Sequence, residues 1–98
     1  MLVQLLYFPD CPNVDAARRT LHQALRKLED APLAAELDLT SPDTPPHLRL
    51  WGSPTILING VDVAGGDASG SCCRLYPGSE DRGVPPLAII EAALHRAL

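Results

Sequence analysis

Apolar positions fall along this chain in short blocks and two helical stripes. Leu2–Phe8 is almost unbroken in apolar side chains, the pattern of a strand covered on both faces. Pro9-Asp10-Cys11-Pro12-Asn13 interrupts it. Val14, Ala17, Leu21, Leu25 and Leu28 then recur at spacings of three and four, with Arg18 laying its stem along the stripe, which predicts an amphipathic helix. Pro12 is expected at the first helical position, where a missing N–H costs nothing, and Pro32 ends the helix. Leu33–Leu39 alternates, with Leu33, Ala35, Leu37 and Leu39 on one side and Ala34, Glu36 and Asp38 on the other, as in an edge strand with one polar face.

Pro45–Leu50 has room for one or two helical turns. Pro54–Ile58 is a second apolar strand, and Asn59-Gly60 is a hairpin signal that returns the chain through Val61–Val63. Gly65–Gly83 is irregular and reads as a long loop. Pro85–Ala97 reads as a last helix with Leu87, Ile90, Leu94 and Ala97 buried and His95 and Arg96 at its C-terminus. The order is β-α-β-(short α)-β-β-α. It predicts an α/β domain spanning residues 1–98, with a four-stranded mixed sheet flanked by helices on both faces and a right-handed first crossover.

Composition narrows the function classes. The chain has 98 residues, the size of one domain. A net charge of −4 argues against a nucleic-acid surface, which needs a basic patch. The chain contains no apolar run of membrane-spanning length, and Met1–Phe8 lacks the basic start of a signal peptide. Neither nucleic acid nor membrane is therefore expected as a partner. Of the three cysteines, Cys11, Cys72 and Cys73, two are adjacent. Secreted disulfide frameworks have even, separated sets, so a reducing, cytoplasmic compartment is expected.

Cys11 is the first chemical candidate. At a helix N-terminus it meets unpaired N–H groups and the positive end of the dipole. Both favour the thiolate, which is the nucleophile and metal ligand. Asp10 and Asp15 oppose this, and Arg18, one turn beyond Asp15, is placed to neutralise Asp15. Cys72-Cys73-Arg74 is the second candidate. One of the pair reaching Cys11 would resolve a mixed disulfide or add thiolates to a soft-metal site, with Arg74 favouring thiolate. His22, His47 and His95 are scattered, with no zinc-pair spacing. Trp51 walls a groove or packs under the short helix.

Together these features resemble the thioredoxin superfamily, and glutaredoxins in particular. They are a strand, Cys11-Pro12 at a helix start, Ser53-Pro54-Thr55 opening a later strand, Asn59-Gly60, and then Gly65-Gly66-Asp67. The resemblance covers most of residues 1–66 and the last helix, and leaves out Ala68–Gly83. It implies a thioredoxin-like fold with Cys11 as the nucleophilic cysteine and Pro54 as a cis-proline beside it. The backbone before that proline would pair with substrate or glutathione, and Pro12, Ser53, Thr55, Gly65 and Gly66 would line the substrate site. Val14 stands where a Cys-x-x-Cys enzyme has its second thiol.

Three functions follow as expectations. The first is a thiol-disulfide redox protein that acts on protein or small-molecule thiols and disulfides, uses Cys11 with Cys72 or Cys73 resolving, and needs no cofactor beyond glutathione. The second is a soft-metal or metalloid protein holding Hg, As, Cu or Zn on Cys11, Cys72 and Cys73. The third is a non-catalytic adaptor that holds a peptide beside Pro54.

Overall fold

The computed structural model describes residues 1–66, 74, 76 and 83–98. Its elements are β1 (Val3–Tyr7), α1 (Val14–Leu25), β2 (Ala34–Asp38), a single 3-10 turn (Pro46–Leu48), β3 (Thr55–Ile58), β4 (Val61–Asp62) and α2 (Leu87–Ala97). The four strands form one mixed sheet in the order β2-β1-β3-β4. β1 runs parallel to β2 with Leu5 opposite Glu36, and antiparallel to β3 with Leu5 opposite Ile56. β3 pairs antiparallel with β4 through a turn in which Asn59 and Gly60 have φ of 53° and 81°. Those left-handed values are what a two-residue hairpin turn demands, and Asn and Gly adopt them most easily.

The apolar runs become the central strands β1 and β3, and the alternating run and the short return become the edges. Alternation along each strand separates two cores. Val3, Leu5, Ile56 and Ile58 meet Ala17, Leu21, Ala24 and Leu25 of α1 and Ile90, Ala93 and Leu94 of α2. Leu6 and Leu57 point the other way, against Leu39, Leu48 and Trp51. Leu5, Leu6, Ile56 and Leu57 are almost wholly buried, each contributing roughly 1.5–3 kcal/mol relative to exposure.

Both α-helices thus lie on one face, where helices on both were expected. The segment Leu39–Trp51 is too broken by Pro42, Pro45 and Pro46 to hold more than a 3-10 turn, and it covers the second face as irregular chain. Leu33, expected to face inward, is exposed because β2 begins after it. α2 starts at Leu87, with the extended Pro86 as its N-cap. Among the described residues no helix is long and apolar enough to cross a membrane.

Glu36, on the edge strand, is more than a solvated charge. Arg18 of α1 grips it through Nη2 at 2.7 Å and Nε at 2.9 Å, and also bonds Asp15 at 2.6 Å. The guanidinium is held above its ordinary range, first by the Glu36 hydrogen bond, with Asp15 and the two charges adding against burial. All three side chains remain partly exposed, so solvent screens the pair. Arg18→Ala should lower stability by less than about 1 kcal/mol in urea unfolding, with the loss shrinking at high salt.

Candidate functional site

Cys11 closes a tight turn that leaves β1. Phe8-Pro9-Asp10-Cys11 places proline second, where its fixed φ suits a β-turn, and the Cys11 N–H donates to the Phe8 carbonyl at 3.0 Å. The Phe8 N–H donates in turn to Ser53 Oγ at 3.0 Å. The cysteine turn is thereby tied to the segment before β3. The Ser53–Pro54 peptide there is cis, and both side chains are fully buried. Cys11 itself is 9% exposed, its side chain close to closed off from solvent.

The start of α1 differs from expectation. Asn13 is the N-cap, with helical φ and ψ, and its carbonyl accepts the first helical N–H, from Ala17, at 3.0 Å. Pro12 lies one residue upstream, outside the helix, because Pro9–Pro12 is spent on the turn. Asn13 makes no side-chain cap bond; its amide lies against Gly83, where a Cβ would come 2.0 Å from Nδ2. Gly83 is therefore needed for this close approach between the chain entering α2 and the cysteine turn. Arg18 neutralises Asp15 as expected.

A second group of residues surrounds the cis peptide. The Arg74 N–H donates to the Ser53 carbonyl at 2.8 Å, and the Tyr76 hydroxyl donates to the Pro54 carbonyl. Thr55 Oγ1 donates to the Gly52 carbonyl at 2.7 Å and accepts from Arg74 Nη1 at 3.1 Å. Arg74 Nη2 donates to Asp62 Oδ2 at 2.8 Å. The guanidinium lies 4.8 Å from the Tyr76 ring centre and 5.9 Å from that of Trp51, within cation–π range. Asp62, 3% exposed, also accepts the N–H groups of Gly66 at 3.0 Å and Ala64 at 3.2 Å. Gly65 has φ of 74°, and a Cβ on Gly66 would come 2.9 Å from Asp62 Oδ2 and 3.2 Å from Arg74 Nη2. The two glycines serve this carboxylate–guanidinium pair.

Burial alone would lower the Arg74 guanidinium, but the Asp62 hydrogen bond and the charges of Tyr76 and Asp62 outweigh it, so it sits above its ordinary range. Burial pushes the Tyr76 phenol up to about 12; Arg74 and Thr55 oppose this, and Asp62 and Cys11 add to it.

The structure thus brings together Cys11, Ser53, Pro54 and Thr55 of the expected site and sets Gly65 and Gly66 under Asp62. Cys72, Cys73 and Asp67 lie outside the described residues. The Arg74 guanidinium, expected to favour thiolate at its cysteine neighbours, is held by Asp62 and Thr55. Trp51 packs under the 3-10 turn with Leu48. Among the described residues no three His, Cys, Asp or Glu side chains gather where a metal could sit, and the three histidines are exposed and apart. Sequence reasoning missed Asp62 and left Tyr76 unassigned. Asp62 sits between two valines in a short return strand, and an ionisable group in such an apolar setting needs a buried partner. No protein-family model, curated protein or solved structure matches the chain.

Proposed function

We propose that the protein is a thiol-disulfide redox protein of thioredoxin-like fold, working in a reducing, cytoplasmic compartment with Cys11 as its nucleophile. The observation that carries this reading is the tie between the cysteine turn and the cis peptide. Cys11 is fixed to Phe8, Phe8 to Ser53, and Ser53 precedes cis Pro54. The strand order β2-β1-β3-β4 with β1 and β2 parallel and α1 following directly on the cysteine turn support the same reading.

In the step we envisage, the Cys11 thiolate attacks one sulfur of a disulfide. The S–S bond breaks, the departing thiolate takes a proton, and Cys11 is left in a mixed disulfide. Glutathione thiolate then attacks the outer sulfur and releases Cys11 as thiolate, and the glutathione mixed disulfide so formed is reduced by a second glutathione. Alternatively, Cys72 or Cys73 attacks the Cys11 sulfur, expels the remaining substrate thiolate and forms an internal disulfide that two glutathiones reduce. Glutathione is consumed as the reductant. α1, capped at Asn13 two residues after Cys11, would favour the charged sulfur through the positive end of its dipole. Asp15, the carboxylate nearest in sequence on the helix, is neutralised by Arg18 and so does not oppose that charge. The soft-metal reading rests on Cys72 and Cys73 joining Cys11.

The test is reduction of bis(2-hydroxyethyl) disulfide by glutathione, with turnover followed by glutathione oxidation. The wild-type chain should accelerate it. Cys11→Ser should bring the rate to the uncatalysed background while leaving the fold intact, and activity retained in Cys11→Ser would overturn the reading. Cys72→Ser with Cys73→Ser should keep activity if glutathione resolves, and lose it if one of the pair does.

A further inference from the structure

We infer that this site is closed to peptide backbones, so that the disulfides Cys11 takes are small ones lacking a peptide chain. The inference rests on Cys11 being the reactive thiol. An extended chain that docks beside a strand gains its affinity from main-chain hydrogen bonds to open carbonyls and N–H groups. Beside the cis peptide those acceptors are already engaged within the molecule. The Ser53 carbonyl takes the Arg74 N–H, the Pro54 carbonyl takes the Tyr76 hydroxyl, and the Ile56 carbonyl takes the Val63 N–H.

Arg74 and Tyr76 occupy these positions firmly. Asp62 and Thr55 hold the Arg74 side chain, and the Tyr76 ring, 2% exposed, stacks under it. An incoming peptide would have to displace a buried ion pair and a buried phenol to reach one carbonyl. Leaving such groups unpaired costs more than the new bonds return. Arg74 and Tyr76 thereby set specificity without touching the reacting sulfur. A small disulfide needs only the Cys11 sulfur and space for its leaving group.

The experiment uses the Cys72→Ser, Cys73→Ser chain, so that Cys11 is the single thiol, and three thiopyridyl disulfides. They carry 2-mercaptoethanol, glutathione and an extended hexapeptide with one cysteine. In each reaction the Cys11 thiolate displaces pyridine-2-thione, which is coloured, and forms the mixed disulfide. Each rate is divided by the rate of the same probe with free cysteine. The hexapeptide and glutathione probes should react no faster than the 2-mercaptoethanol probe, because none of them gains main-chain bonds at the closed edge. Arg74→Gly with Tyr76→Gly should raise the two peptide rates by about tenfold, the equivalent of one or two hydrogen bonds, and change the small-probe rate little. A hexapeptide rate about tenfold above the small-probe rate in the unopened chain would overturn the inference.

A second measurement does not depend on the opened variant folding. Amide exchange should show the Arg74 N–H strongly protected, and exchange at the free-peptide rate would equally overturn the inference. Because any accessible thiol reacts with these probes, the rate ratio reads the closed edge whether or not the protein reduces disulfides in turnover. Failure of the redox reading is therefore seen separately, in the glutathione assay.

Discussion

Asp62→Ala should lower the unfolding free energy by about 3–5 kcal/mol, the largest loss expected from any single polar substitution in this chain. Asp62 is 3% exposed and accepts two backbone N–H groups and the Arg74 guanidinium. Its removal leaves a largely buried cation with Thr55 as its remaining side-chain acceptor among the described residues, and takes away the acceptor of the Gly66 N–H. A domain of this size has roughly 5–15 kcal/mol of stability in all, so the variant should stand close to unfolding at ambient temperature.

Arg74 keeps 19% of its side-chain surface in solvent, which places the expected loss toward the lower end of that range. Asp62→Asn keeps the shape but has a single acceptor oxygen, so it retains one of the two backbone bonds and loses the charge, and should fall between wild type and Asp62→Ala. Combining Asp62→Ala with Arg74→Leu removes the stranded charge and should recover part of the loss, giving a coupling well above that of an exposed pair. Urea unfolding at pH 7 measures these four proteins and Arg74→Leu alone, which closes the cycle. A loss below 1 kcal/mol for Asp62→Ala would show that the pair is solvated and the network ineffective.

The second large effect is alkaline. The Tyr76 phenol is pushed from 10.0 up to about 12 in the folded chain, chiefly by burial. The neutral form is the one the fold favours, since it donates to the Pro54 carbonyl. The unfolded chain therefore releases this proton first, and the native state binds more protons between the two values. Stability falls with rising pH wherever that is so. The contribution of Tyr76 is complete below pH 10 and is lost as the pH climbs through 12. A shift of about two units corresponds to roughly 3 kcal/mol. Tyr76→Phe should flatten this alkaline decline while costing stability at neutral pH through the lost hydrogen bond. Tyrosinate absorbance, taken as the difference between wild type and Tyr76→Phe, reads the phenol directly. A phenol titrating at its ordinary value would contradict the buried hydrogen bond.

Much of the fold could be read from periodicity because its strands obey simple alternation. Leu2–Phe8 and Pro54–Ile58 had to be central, since both sides of each strand are apolar and both sides are covered. Asn59-Gly60 specified its hairpin through backbone conformation alone. The position of the second layer was not legible. The prolines that interrupt Leu39–Trp51 say that a regular helix will fail there, but not that the segment will lie flat over Leu6 and Leu57.

At the candidate site, Cys11 and Pro54 were legible as candidates because their context is local, a thiol before a helix and a proline opening a strand. Asp62 and Tyr76 were not. Their roles depend on Arg74, 12 residues beyond Asp62, across a stretch with no repeating pattern. The usual partition is also inverted at Val61-Asp62, with Val61 65% exposed and Asp62 buried, before Val63 returns to the core. Tertiary pairing with Arg74 prevails there over the usual partition of apolar and charged side chains.

Trp51 is the only tryptophan of the chain, and it lies between the irregular cover of the second face and the guanidinium of Arg74. Its emission is therefore a private signal from this side of the molecule, silent about the helical layer opposite. Replacing Arg74 should therefore alter that emission, since its guanidinium lies 5.9 Å from the ring centre. The protein thus carries, without labelling, a chromophore placed to report on the edge beside Pro54 through Arg74.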